Sequence, residues 1–270
     1  MSGVCEGSMR FDRYVGIDYS GAETPTSRIK GLQVYVAQPN GDPRPVRPEL
    51  PARNWSRQEV AHWLLEELQR GAPLLIGIDH GFSFPQTYFD RYGLGTWAAF
   101  LEDFCHYWPT DQPHCYVDFI RDGIWWKRDP KPPGERVGST RELRLCEQWT
   151  SSAKSVFQFD VQGSVAKSTH TGIPWLRFLR EQMGDKLFFW PFDGWHPPEG
   201  VSVIAEVYPS IFRNRYPKNG RTPDERDAYS VARWLEESAR RGILNRYFDP
   251  PLTLPERRIA SIEGWILGIG

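Results

Sequence analysis

Long hydrophobic runs are missing from this chain. No apolar stretch in its 270 residues approaches the ~20 that a membrane-spanning helix requires, which argues against a membrane partner. The opening segment MSGVCEGSMRFDR lacks the apolar core of a secretory leader. Cysteine is scarce: Cys5, Cys105, Cys115 and Cys146 are too few and too scattered for a disulfide scaffold. These absences point to a cytoplasmic protein with reduced thiols. An excess of one charge sign is lacking as well. Lys and Arg (33) balance Asp and Glu (34), leaving a net charge of −1. The chain as a whole therefore pulls little on nucleic acid or anionic membrane, and any polyanion site must gather its basic residues locally.

Familiar loop signatures are absent too. GLGTW (93–97) lacks the third glycine and the preceding strand of a dinucleotide fingerprint, and no nucleophile elbow occurs. GSVAKSTHTG (163–172) has Gly163 and Lys167-Ser168, but Val161 and Ala166 stand where a phosphate loop wants glycine. Lys167 and Ser168 stay as candidate substrate contacts. Cys105-His106 and His114-Cys115 lack the short cysteine pair of structural zinc sites.

What is present is ordinary globular composition, 40% hydrophobic, with aromatics raised to 14% and twelve Trp. Residues 1–12 read as a loose tail. RYVGIDYS (13–20) and LQVYVA (32–37) read as strands, and the proline-studded 39–55 as a loop with room for one edge strand. Ser56 and Glu59 have capping-box spacing ahead of an amphipathic helix that stops at Gly71. PLLIGIDHG (73–81) follows as a strand buried on both faces. From about 86 to 160 aromatics, prolines and charges mix without one period, as in an inserted lobe, with a helix near 95–107. A helix is expected over 173–183, strands over 186–192 and 201–210, and a last short helix over 256–267. The clearest helix is TPDERDAYSVARWLEESARRG (222–242), with a Thr222/Glu225 capping box and Pro223 in the favoured first position. Alternating strands and helices predict a single α/β domain with a mixed or parallel sheet.

The carboxylates are unevenly placed on this map. Asp18 and Asp79 each end an aliphatic strand on Gly-Ile-Asp, at the edge where open α/β sheets bind ligands. Asp suits the turn after a strand on its own account. Glu206 ends a third apolar run. Asp227 lies one turn into the clearest helix and shares a face with Ala228, Val231 and Leu235. A carboxylate buried there without a partner is costly. Converging carboxylates repel, and a hard divalent cation, Mg²⁺ or Mn²⁺, removes the conflict. Such ions activate water for phosphodiester hydrolysis.

VGIDYSGA, IGIDHGFSFP, AEVYPSIF, DERDAYSVARWL and EGWILGI occur in an order that resembles domain-of-unknown-function family 429, whose members are described as predicted RNase H-like nucleases. The resemblance runs from about Tyr14 to Ile269. It implies an RNase H-like fold, with a mixed central sheet flanked by helices and three antiparallel strands before the first helix. It also implies acidic residues at the ends of the first and fourth strands and in the late helix. By position these are Asp18, Asp79 and Asp227 as metal ligands, with Asp224 competing for the helix position. Glu206 matches the family's Glu before Tyr-Pro, as a further ligand or water-positioning base. The substrate implied is nucleic acid; no protein partner is predicted.

Two basic segments are candidates for holding it. Residues 119–144 carry seven Arg or Lys against four acids, with Trp125 and Trp126 among them, a mixture suited to single strands. Residues 212–221 carry Arg213, Arg215, Lys218 and Arg221 and no acid, and link Glu206 to Asp227. Two other readings share the architecture. An actin-like or sugar-kinase-type phosphotransferase would use DYSGAETPTS (18–27) as a phosphate turn; a non-catalytic binding protein would keep the acids as relics of the fold.

Overall fold

The computed structural model describes residues 11–127, 132–150 and 153–270. Residues 1–10 of the expected tail, Cys5 among them, lie outside the described residues. Phe11 is buried and the Asp12 amide donates to the Pro73 carbonyl, so packing begins earlier than expected.

Strands β1 (Arg13–Asp18), β2 (Gln33–Ala37) and β3 (Arg44–Val46) precede helix α1 (Arg57–Gln69) and strand β4 (Leu74–Asp79). Helices α2 (Gln86–Tyr92), α3 (Trp97–Tyr107), α4 (Val117–Arg121) and α5 (Leu145–Gln148) follow, then the long α6 (Ala166–Met183). The chain returns through β5 (Leu187–Trp190) and β6 (Ser202–Glu206) to α7 (Pro223–Arg240), α8 (Leu244–Phe248) and α9 (Leu254–Glu263). Six strands form one sheet in the order β3-β2-β1-β4-β6-β5. β1, β2 and β3 pair antiparallel, whereas β1, β4, β6 and β5 run parallel. This is an α/β architecture with a mixed sheet and flanking helices. The weakest expected strand is real but short. β3 tolerates Pro45 because it is an edge strand, where a missing N–H costs little.

Side chains alternate between two cores. Val15, Ile17, Ile76, Ile78 and Ile204 face α1, α6 and the aromatic segment. Tyr14, Leu75, Val203 and Ala205 face α7, α8 and Trp265. Much of the aromatic excess is core: Phe100, Phe104, Phe157 and His170 all lie 4.8–5.5 Å from Phe84, ring centre to ring centre. Among the described residues no helix is long and apolar enough to cross a membrane.

One helix begins earlier than its sequence suggests. Gly172 and Pro174 point to a start at 173, yet α6 runs unbroken from Ala166. Proline leaves the carbonyl four residues back without its helical donor. Here that carbonyl belongs to His170, and the buried Thr110 hydroxyl donates to it at 2.6 Å. Gly172 has its own reason, because a Cβ there would lie 2.3 Å from His80 Nε2. Both apparent breakers are accommodated by residues distant in sequence.

Candidate active site

The two Gly-Ile-Asp strands lie side by side. β1 and β4 pair in parallel register, Gly16 with Gly77, Ile17 with Ile78 and Asp18 with Asp79. In-register residues of parallel strands project to the same face, so both aspartates leave the sheet together on the α7 side. The glycines two residues earlier open that face. A Cβ on Gly16 would lie 2.2 Å from the Ala228 carbonyl oxygen and 2.6 Å from the Ala232 nitrogen. A Cβ on Gly77 would lie 2.7 Å from Val231 Cγ1. Helix α7 thus presses its backbone onto the β1 glycine. Its Thr222/Glu225 capping box and Pro223 set where it starts, and with it the height of Asp227. Oxygens of Asp18, Asp79 and Asp227 all come within 4.8 Å of one another. Among the described residues this is the one gathering of three or more His, Cys, Asp or Glu side chains close enough to share an ion.

The loop after Asp18 is held from below. Buried Arg57 donates to the carbonyls of Ser20 and Glu23 at 3.2 and 2.9 Å, and also to that of Ala22. Gly21 abuts the α6 backbone, where a Cβ would lie 2.2 Å from Lys167 C. The 18–27 segment is therefore a packed turn.

Three carboxylates converge on one spot, and their protonation reflects it. Burial pushes Asp18 well above the usual carboxylate range, and the charges of Asp79, Asp227 and Asp224 push it further, against the pull of Arg213. Asp79 is pushed up to about 8 by burial first, then by Asp227 and Glu206. Asp227 is raised by burial while Arg213 pulls it back. Arg213 Nη1 donates to Asp227 Oδ2 at 2.7 Å, whereas the other oxygen, Oδ1, is buried without a hydrogen-bond partner. Three hard oxygen donors, too little positive charge and one orphaned oxygen fit a divalent cation such as Mg²⁺ or Mn²⁺. Asp224, one turn earlier, is outside this group but close enough for its charge to act on Asp18.

Glu206 departs from the expectation of a further ligand or base. β6 pairs with β4 so that Glu206 lies opposite Ile78 rather than Asp79. One step of register turns its side chain to the other face of the sheet. There it accepts both Arg144 Nη groups, at 2.6 and 2.7 Å, and the Phe82 amide at 3.0 Å. Arg144 is itself buried and also donates its Nε to Glu147 at 2.9 Å. Glu206 is a buried structural ion pair beside the site, and Arg144, its partner across 62 positions, was hidden in a basic run. Only its spacing of three from Glu147 hints at a local partner.

The remaining candidates divide. Lys167, near the start of α6, pairs with Asp118 at 2.7 Å, and the Ser168 hydroxyl donates to the Val165 carbonyl, so both side chains have partners other than the three aspartates. Three of the basic residues of the 119–144 segment are paired, mostly with carboxylates outside it. Arg121 bonds Asp122 and Asp160, Arg136 makes a bidentate pair with Asp103, and Arg144 is buried. Arg128 and Lys131 lie outside the described residues. The 212–221 segment keeps more of its charge. Arg213 reaches Asp227, Arg221 stacks 3.5 Å over the Tyr229 ring, and among the described residues neither Arg215 nor Lys218 pairs with a carboxylate. Comparison with known proteins returns no match: no family profile, no curated protein and no solved structure aligns with the chain.

Proposed function

We propose that this protein is a metal-dependent hydrolase of phosphodiester bonds, with an RNase H-like fold and nucleic acid as substrate. The observation that carries the reading is the in-register pair Asp18–Asp79 met by Asp227 from α7. The antiparallel β1–β2–β3 unit before α1, and β4 parallel beside β1, support the fold assignment. Asp18, Asp79 and Asp227 hold Mg²⁺ or Mn²⁺. Such an ion polarises a phosphoryl oxygen and lowers the pKa of water. The chain supplies the rest. Arg57 fixes the turn that follows Asp18, and the glycines seat α7. The Arg144–Glu206 pair braces the C-terminal edge of the sheet. Arg215 and Lys218, on the segment leading to α7, meet the phosphate backbone.

Cleavage is tested with Mn²⁺ and four polymers, single- and double-stranded RNA and DNA, with nucleoside triphosphates alongside. The reading expects Mn²⁺-dependent cleavage of at least one polymer and its loss in Asp18→Asn. Triphosphate hydrolysis without polymer cleavage would favour the phosphotransferase reading. Binding is tested separately in the Asp18→Asn background. The double variant Arg215→Gln/Lys218→Gln should lower the slope of log affinity against log salt by roughly 1.4–1.8, since each neutralised phosphate contact contributes about 0.7–0.9. An unchanged slope would remove these two residues from the substrate path.

A further inference from the structure

Arg213 is placed as more than a surface cation. Its Nη1 donates to Asp227 Oδ2 at 2.7 Å, on one of the three carboxylates whose oxygens lie within 4.8 Å of one another. It binds only one oxygen of Asp227, leaving Oδ1 buried and unpartnered. Its side chain is 38% exposed, whereas that of Asp227 is 14% exposed, so the head group reaches in from solvent. Its backbone is fixed. Arg226, adjacent to Asp227 on α7, donates to the carbonyls of Arg213 and Tyr216 at 3.1 and 3.3 Å and to Asn214 Oδ1 at 3.3 Å. Arg213 is therefore a partly exposed cation on an anchored base, at the mouth of an acidic site.

A divalent ion taken up through the free Oδ1 of Asp227 would share that carboxylate with the guanidinium on Oδ2, and two cations on one carboxylate repel each other. We infer that Arg213 is a resident counter-ion that the metal displaces, and that the freed guanidinium then binds an anionic oxygen of the substrate. This rests on the metal-dependent reading above. A guanidinium offers paired N–H donors to phosphate oxygens, and its release places them beside the reacting centre only when the metal is present. Metal loading and substrate capture are thereby coupled through one side chain.

The test is Mn²⁺ calorimetry on the full chain as wild type, Arg213→Gln and Arg213→Lys. Removing the competing charge in Arg213→Gln should tighten Mn²⁺ binding about fivefold, the scale of a partly exposed ion pair, while Arg213→Lys stays near wild type. Without metal, Arg213→Gln should melt at a lower temperature than wild type and gain more on adding Mn²⁺. A phosphorothioate oligothymidylate supplies the second readout. Arg213→Gln should weaken its binding about tenfold in Mn²⁺ and by much less in EDTA. If Mn²⁺ affinity is equal or lower in Arg213→Gln, or the oligonucleotide penalty is the same with and without Mn²⁺, the displacement idea is wrong while the metal site stands. If wild type takes up no Mn²⁺, the metal-dependent reading falls first and this inference with it.

Discussion

Asp79→Asn should abolish metal-dependent cleavage, by about 10³-fold, and yet make the metal-free protein more stable at neutral pH. The two effects share one cause. Asp79 is held near 8 in the folded chain by burial and by the charges of Asp227 and Glu206, against an ordinary value of 3.8. The unfolded chain therefore gives up this proton first as pH rises. Stability from the neutral carboxyl is complete below about pH 4, is lost progressively as pH rises through the window up to about 8, and levels off beyond it. Asn carries no such loss. The variant's advantage should widen across that window and reach a few kcal/mol at its upper end. Mn²⁺ should reverse the ranking, since wild type gains binding energy that the variant cannot. Thermal melts from pH 5 to 8, with and without Mn²⁺, check the whole pattern. A metal-free variant less stable than wild type at pH 8 would mean that the three carboxylates do not strain one another.

Gly16→Ala, which replaces no carboxylate, should be strongly destabilising for a single added methyl. The added carbon would meet backbone, the Ala228 carbonyl at 2.2 Å and the Ala232 nitrogen at 2.6 Å, and backbone in the middle of a helix has nowhere to turn. Helix α7 must move off the sheet, and Asp227 moves with it. A loss of about 3 kcal/mol, the upper end for overpacking, is expected, or roughly 6–10 °C in melting temperature. Gly77→Ala meets the side-chain tips of Val231, Val207 and Leu235 instead, at 2.7, 2.9 and 3.2 Å. Those tips can rotate, so about 1–2 kcal/mol is expected. Gly16→Ala should also lose Mn²⁺ affinity at temperatures where it is still folded. Equal effects of the two substitutions, or intact Mn²⁺ binding in Gly16→Ala, would show that close seating of α7 does not set the position of Asp227.

These two substitutions also show which parts of the site could be read in advance. The repeated Gly-Ile-Asp was visible as two strands ending on carboxylates, because strand patterning and strand ends are local properties. The start of α7 was visible for the same reason, as Thr222, Pro223 and Glu225 act within one turn. Asp227 stood out by its place on the apolar face. What could not be read depended on partners far along the chain. Glu206 ends an apolar run just as Asp18 and Asp79 do, but its register is one step different, and register is set by pairing between strands. Arg144 looked like one of seven basic residues until Glu206 claimed it. The start of α6 was masked by Pro174, whose cost is offset by Thr110, a residue 60 positions from the carbonyl it serves. The role of the glycines in seating α7 was also hidden, because a missing Cβ signals close approach only when the approaching element is known.

The central claim is that Asp18, Asp79 and Asp227 share a divalent cation. The most direct measurement is a crystal of the full chain soaked in Mn²⁺ and read by anomalous scattering, with Asp18→Asn treated in the same way. The account predicts an anomalous peak between the three carboxylates in wild type, Arg213 turned away from Asp227, and no peak in Asp18→Asn. A wild-type crystal with no peak there, or an equal peak in Asp18→Asn, would contradict it.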